Sequence, residues 1–435
     1  MFYDLPEYAT NLGWEFYGPL IFIAVLVVLA VPIWVSIGLG TVVMLIWSGA
    51  LPLSLLGDSL FEGIDAFALI AVPLFILTGD VLVRTGLSAR LLDIADAITG
   101  GVRSGFGSAT VLGCGFFSCI SGSDAAGAAA VGRMTIGRLI DEGYPPARAC
   151  ALVASGACTG ILIPPSIAYI IIGLVLGVSA STLFVAAVVP GVLVLVSIML
   201  TNAILNRIHG YESSDRRFDW RKLGRALVDG RYALMVPVII LGGIYTGIFT
   251  PTEAAAVAVI SSLIIGLTQG TLDISDLPDI LQSSAKVNGI IVPIIAVSLP
   301  FAQTLGALDV AEGFVGVING ITDEPWLIIL MMIGMLIVAG CIMEATPNIV
   351  ILSPLLFPLA QSIGMHEVHF CIMMVTALGV GFITPPLGLN LFVVSGLTGT
   401  SVLSIASRAL PYVFAMLTVV LLLAFVPQLS LWAVQ

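Results

Sequence analysis

Apolar runs dominate the chain, and they are interrupted by glycine, proline and serine rather than by charge. A helix needs ~20 residues to cross ~30 Å of hydrocarbon. At that length the pattern predicts spans over roughly 16–36, 38–57, 66–83, 105–133, 148–176, 181–206, 232–249, 252–269, 288–305, 325–362, 368–397 and 402–427. Four of these segments are too long or too interrupted for one straight helix. Segments 105–133 and 325–362 read as re-entrant hairpins that enter and leave by one face. Segments 148–176 and 368–397 read as crossing helices broken midway. Two amphipathic stretches, Leu87–Ile98 and Ile274–Val287, read as helices lying along the membrane surface. The second reads equally as a solvated linker.

Composition supports the pattern. Of 435 residues, 59% are hydrophobic and 9% charged, against roughly 25% charged in soluble domains. The fold class expected is an all-α polytopic membrane protein. The N-terminus is not expected to be a cleaved signal, because Asp4, Glu7 and Glu15 precede any Lys or Arg. A net charge of -11 argues against a nucleic-acid partner. The six cysteines are scattered through apolar segments without a CxxC, so neither a disulfide framework nor a zinc site is expected. His366 and His369 form HxxH rather than HExxH at a predicted helix start, where structural or surface roles suffice. With no GxGD, no HExxH and Lys286 placed at the surface, an intramembrane enzyme is not expected.

The basic residues orient the spans. Arg207 to Arg231 holds seven of them, so that loop is cytoplasmic by the positive-inside rule. If both long segments are hairpins, all 15 basic residues fall on that side, including Arg84, Arg90, Arg103, Arg133, Arg138, Arg148, Lys286 and Arg408. The outer loops then carry only acids, among them Asp58, Glu62, Asp65, Asp309, Asp323 and Glu324. Both termini are expected outside.

The chain also repeats. Pro164-Pro165 recurs as Pro385-Pro386, an offset of 221 (164 to 385). Gly160 and Gly381, Pro190 and Pro411, and Cys150 and Cys371 share that offset, and upstream Gly and Pro pairs follow it with slight drift. Each half, 1–206 and 232–435 around the basic linker 207–231, is expected to hold five crossings and one hairpin. Five is odd, so the second half would be inverted. Inverted repeats with broken helices are the layout of secondary transporters.

Bare backbone at membrane depth must be buried in protein or line a cavity. The first such place is the tip Ser121-Gly122-Ser123-Asp124 with the break from Thr159-Gly160 to Pro164-Pro165. The second is the tip Met343-Glu344-Ala345-Thr346-Pro347 with the break from Gly381 to Thr384-Pro385-Pro386. Prolines free carbonyls one turn earlier. Those carbonyls, with Ser and Thr hydroxyls, suit a hard cation such as Na+, and helix N-termini suit an anionic substrate. The cation ligands expected are Ser121, Gly122, Ser123, Asp124, Thr159, Gly160, Glu344, Thr346, Gly381 and Thr384. The run Ala125 to Gly132 reads as close helix packing. Asp124 and Glu344 are ionisable groups inside the membrane and hence functional candidates, although a tip can also be wetted.

At these residues the chain resembles the large membrane subunit of the tripartite ATP-independent periplasmic (TRAP) transporters. The matching stretches are ISGSDAAGAAAVG at 120–132, EGYPPARACALVASGACTGILIPPSIAYIIIG at 142–173, GIFTPTEAAAVA at 247–258 and GFITPPLGLNLFVVSGL at 381–397. The resemblance implies Na+-driven import at the inner membrane, with hairpins and broken helices moving as an elevator against a scaffold. It implies Na+ as coupling ion without a further cofactor, a separate four-helix small membrane subunit, and a periplasmic binding protein that delivers the solute. Substrate would lie between the tips, near Pro165, Ser166, Pro386 and Asn390. Two positions depart from the family: its first tip usually ends SGSS where this chain has Asp124, and its frequent Asn before the second break is Ala377 here. A stand-alone cation-coupled carboxylate transporter or exchanger of the same superfamily is the alternative. Dicarboxylates, sugar acids and other carboxylates are the main substrate class. The acidic outer surface, with only Lys222 and Lys286 as lysines, also fits an ectoine-type zwitterion.

Overall fold

The computed structural model describes residues 14–101, 104–212 and 218–432. Asp4, Glu7, Arg103, Arg216 and Arg217 of the charge pattern lie outside them. Among the described residues every regular element is helical. The first half runs through α1 (Trp14–Val28), α2 (Ile33–Ser48), α3 (Ser54–Ile64), α4 (Ala71–Arg84) and α5 (Leu87–Thr99). A hairpin of α6 (Gly105–Ser121) and α7 (Asp124–Asp141) follows. Next come the broken pair α8 (Pro146–Ala157) and α9 (Ile167–Leu176), and α10 (Ala180–His209). A connecting helix α11 (Trp220–Asp229) leads to α12 (Arg231–Tyr245), α13 (Pro251–Thr268), α14 (Leu277–Ala307) and α15 (Val310–Ile321). The order then recurs: hairpin α16 (Pro325–Ile342) and α17 (Ala345–Ser362), broken pair α18 (Glu367–Gly381) and α19 (Leu389–Thr398), and α20 (Val402–Phe425), with a short α21 (Gln428–Leu431) at the end. Six helices among the described residues are long and apolar enough to cross a membrane, seven if α11 and α12, bent by 72°, count as one span.

Two expectations are corrected. The first two spans are not 16–36 and 38–57. Ala30 takes a left-handed φ of 59° and Pro32 lacks an N–H, so α1 stops at Val28 and α2 starts at Ile33. Gly49, also left-handed, ends α2, and the chain then forms the separate α3. Nor is Ile274–Val287 a surface helix or linker of its own. A 3-10 turn at Ile274–Asp276 runs straight into α14, which continues for 31 residues. No residue between Pro278 and Gly289 stops a helix, and one interior glycine costs only about 1 kcal/mol. Within 207–231 the connecting segment is itself partly helical. α10 extends to His209, and Asp219 starts α11 by accepting the Arg221 N–H at 2.8 Å.

Helix packing interleaves the halves. Within each half the first hairpin helix packs on the first piece of the broken helix, α6 on α8 and α16 on α18. Across the halves the second piece packs on the other hairpin, α9 on α17 and α19 on α7. The long helices cross over in the same way, α10 on α18 and α20 on α8. Consequently α18 is buried on all sides from Val368 to Gly381, as an apolar helix without a polar face should be. The remaining long helices form a second set, with α4 against α13 and α14, α2 and α3 against α14, and α12 against α13. The sets meet where α4 touches α6 and α14 touches α17.

Candidate functional site

The first tip is a tight turn. Gly122 ends α6 in the left-handed region at φ 60° and gives its N–H to the Ser118 carbonyl at 3.2 Å. Ser123 caps α7, its hydroxyl accepting the Ala126 N–H at 3.4 Å. Asp124 is the first residue of α7, where the helix dipole favours a carboxylate. It is 2% exposed, and its Oδ2 has no hydrogen-bond partner.

The break lies directly against this tip. Pro164 and Pro165, joined by a cis peptide bond, have no N–H for the carbonyls of Gly160 and Ile161. The Ser166 hydroxyl takes the Ile161 carbonyl at 2.8 Å. The Ile167 N–H then reaches the Gly122 carbonyl at 3.4 Å, tying break to tip. Gly160 makes the approach possible. A Cβ there would sit 2.6 Å from the Asp124 nitrogen, closer than real Cβ contacts come. Thr159 donates to the Gly156 carbonyl (2.7 Å) and its hydroxyl lies 3.1 Å from that of Ser118.

The second half repeats the contact with different side chains. Pro385 and Pro386, also cis, interrupt the helix after α18, and the N–H groups of Leu387 and Gly388 bond the Cys341 carbonyl at 3.2 and 3.1 Å. A Cβ on Gly381 would lie 2.6 Å from the Gly340 carbonyl carbon. This tip has no glycine. Instead the Asn348 amide donates to the carbonyls of Met343 (2.9 Å) and Ala339 (3.2 Å), while its Oδ1 is buried without a partner. Thr346 is buried, and Thr384 donates to the Val380 carbonyl at 2.7 Å.

The two sites also approach each other. Asn390, which follows the second break, donates to the carbonyl of Ala154, which precedes the first, at 3.3 Å. The structure therefore brings the first-tip and first-break residues together, brings the second-tip and second-break residues together, and links the two breaks through Asn390. Pro165, Ser166 and Asn390 are buried, and Pro386 is exposed. None of these four lines either of the cavities at the tips.

Sequence reasoning misses those cavities. The first holds about 450 Å3 and is walled by Ser121 and Ser123 of the tip, Arg133 of α7, Asp80 and Arg84 of α4, and Asp279 of α14. The second, about 220 Å3, lies beside Met343, Glu344, Leu387 and Phe392. The sequence does carry a signal for the first: Ser123, Ala126, Ala130 and Arg133 follow helical spacing and share one face of α7. Elsewhere, His366 caps α18 by accepting the Val368 N–H, and His369 Nε2 lies 3.0 Å from the Leu423 carbonyl. In the 247–258 stretch, Thr250 and Glu253 form a capping box that starts α13.

Hairpin tips clasped by broken helices, inside a helical body with several membrane-long helices, define a multi-pass membrane transporter. The chain belongs to the tripartite ATP-independent periplasmic transporter family, DctM component, whose model it matches over residues 20–429. It is 36% identical over 379 residues to the C4-dicarboxylate TRAP transporter large permease protein DctM of Pseudomonas aeruginosa, covering 86% of this chain and 88% of that one. It is 34% identical over 412 residues to the isethionate TRAP transporter permease protein DctMQ of Oleidesulfovibrio alaskensis, covering 94% of this chain. The chain spans 65% of that relative's length. Among solved structures it is similar in fold to the YdaH transporter of Alcanivorax borkumensis, with a TM-score of 0.61 at 15% identity, covering 87% of this chain and 88% of that one.

Proposed function

We propose that this chain is the large permease of a Na+-coupled importer of small organic acids in an inner membrane, with both termini outside. The observation that carries the coupling is the pair of tip-to-break clasps, each rich in backbone carbonyls and each next to a buried oxygen that lacks a partner, Asp124 Oδ2 and Asn348 Oδ1. A buried carboxylate oxygen without a hydrogen bond is costly unless a cation or a donor meets it. Na+ accepts such oxygen donors and would draw tip and break together. Ser121, Gly122, Ser123, Asp124, Thr159 and Gly160 would hold it at the first clasp, and Glu344, Thr346, Gly381 and Thr384 at the second.

The interleaved hairpins and broken helices would move as one transport body against α1–α4 and α12–α14, an elevator built from halves 1–206 and 232–435. The family supports a periplasmic binding protein and a small membrane subunit as partners. The two relatives are named for a C4-dicarboxylate and for isethionate, both small anions, and a substrate of that class is proposed here. The test is uptake into proteoliposomes holding the permease, its small subunit and the binding protein. Accumulation should need an inward Na+ gradient. Equal uptake with K+ in place of Na+ sinks the coupling, and uptake without a binding protein favours a stand-alone carrier.

A further inference from the structure

The cavity at the first tip has an asymmetric charge arrangement. Arg84 pairs with Asp276 at 3.5 Å and Asp279 at 3.7 Å. Asp80 accepts the Ser284 hydroxyl through Oδ2 at 2.6 Å and makes no ion pair among the described residues. Arg133, exposed on the opposite wall, makes no hydrogen bond or ion pair among the described residues. It therefore brings an unpaired positive charge to a largely apolar chamber whose other polar groups include Ser121 and Ser123 of the tip. Side chains on a helix lean toward its N-terminus, so Arg133 leans toward the tip end of α7. Between them Ala126 and Ala130 are too small to fill the space. At about 450 Å3 the chamber falls within the range of small-molecule sites.

We infer that this chamber is the passage through which the solute leaves the first tip toward the face bearing the basic residues, and that Arg133 binds its anionic group there. The ligand class is a small carboxylate or sulfonate that also carries a hydroxyl or ammonium donor, which Asp80 on the facing wall accepts. This rests on the proposed import function, but Arg133 and the chamber can be tested without uptake.

The full chain carrying Ala130→Cys is exposed, in inverted membrane vesicles, to two membrane-impermeant methanethiosulfonate reagents, one bearing a sulfonate and one a trimethylammonium. Wild type is the control, since five native thiols are buried and Cys119 is half-buried. The introduced thiol should react, and the sulfonate reagent should be favoured. One unit charge nearby is worth several-fold in water and acts with opposite sign on the two reagents, so Arg133→Gln should cut the sulfonate-to-ammonium rate ratio by about tenfold or more, and Arg133→Lys should restore most of it. If Ala130→Cys does not fold, Ser283→Cys on the α14 wall reads the same chamber. An unreactive introduced thiol, or a ratio unmoved by Arg133→Gln, overturns the inference and leaves the import reading intact. In the uptake assay, Arg133→Gln should change the solute dependence while keeping the Na+ dependence. Wild-type solute dependence in that variant overturns Arg133 as the anion-binding group. No uptake by wild type counts against the import reading alone.

Discussion

Asn390 of α19 donates its side-chain amide to the carbonyl of Ala154 on α8 at 3.3 Å, so the second half of the chain is fastened directly to the first. The same nitrogen lies 3.4 Å from the Cys158 thiol. Both residues precede the first break, and Asn390 follows the second. A change at one break is thereby felt at the other. Asn390→Ala removes these bonds from a fully buried position and should lower stability by about 1–3 kcal/mol. Asn390→Asp should be worse, because it sets a buried carboxylate, which has no proton to donate, against the Ala154 carbonyl. Thermal unfolding of the purified protein in detergent checks both, and a variant as stable as wild type would show that the fastening contributes nothing.

Gly160 and Gly381 should tolerate alanine poorly, and for the same reason. At each, a Cβ would lie 2.6 Å from backbone atoms, of Asp124 and Gly340 respectively. Backbone cannot swing aside as a long side chain can, so tip and break must separate. Gly160→Ala should weaken the Na+ dependence of uptake at least tenfold, since the first clasp would no longer close. Gly334→Ala, in α16 with nothing within 4 Å, is the matched control, and there alanine should be neutral or stabilise by up to about 1 kcal/mol. Equal Na+ dependence in Gly160→Ala and wild type would separate the clasp from ion binding.

What the sequence discloses about this fold is mostly local. Proline pairs at 164–165 and 385–386, and small polar runs beside Asp124 and Glu344, mark breaks and tips because each removes helical hydrogen bonds or side-chain bulk at a defined residue. Hydropathy finds the long helices for a similar reason. It misplaces the first two spans because Ala30 adopts a left-handed turn that alanine does not advertise. It splits α14 because the charged stretch near Asp279 and Lys286 looks like surface until α4 is known to pack on it. The interleaving of α9 with α17 and α19 with α7 depends on contacts between residues more than 150 positions apart, which neither periodicity nor composition encodes. In the sequence Arg133 is only a topological charge, and its place in a cavity appears once α4 and α14 supply the facing wall.

Glu212 illustrates the same limit and yields a separate prediction. It follows α10 as one of the acids of a mostly basic loop, yet it is 3% exposed. Its two oxygens accept the N–H groups of Phe106 and Gly107, both at 2.9 Å, and the Tyr144 hydroxyl at 2.7 Å. A carboxylate thus caps the N-terminus of α6, the helix that ends at the first tip, where the dipole favours it. Tyr144 is in turn bonded by Asn202, which also accepts from Tyr412 of the second half. Glu212→Ala would strand two helix N–H groups and a phenol in the interior, and should cost about 3 kcal/mol or more. Glu212→Gln keeps one accepting oxygen and should fall between it and wild type. Tyr144→Phe, which removes single bonds to Glu212 and Asn202, should cost less than Glu212→Ala. Chemical or thermal unfolding orders the three, and a Glu212→Ala protein of wild-type stability would remove the cap from the account.

Asp96 on α5 gives a prediction in pH. Its Oδ2 lies 2.8 Å from Lys222 of α11 and 3.3 Å from Arg138 of α7, joining the connecting helix to the first hairpin. Burial alone would push its carboxyl up, but the Lys222 hydrogen bond and the charges of Arg138 and Lys222 together outweigh burial and hold it below the ordinary 3.8. A carboxylate depressed in the folded state adds stability that is fully present above its unfolded value and is lost as the pH falls through the folded value. The contribution should therefore be constant at neutral pH and disappear only below about pH 4. Asp96→Asn should lower the unfolding temperature at pH 7, and its gap from wild type should narrow as the pH is taken below that point. Lys222→Gln should give the same sign with a smaller effect, because Arg138 remains. A gap between Asp96→Asn and wild type that stays constant down to pH 3, or widens on acidification, would mean that the ion pairs do not set the stability of this corner.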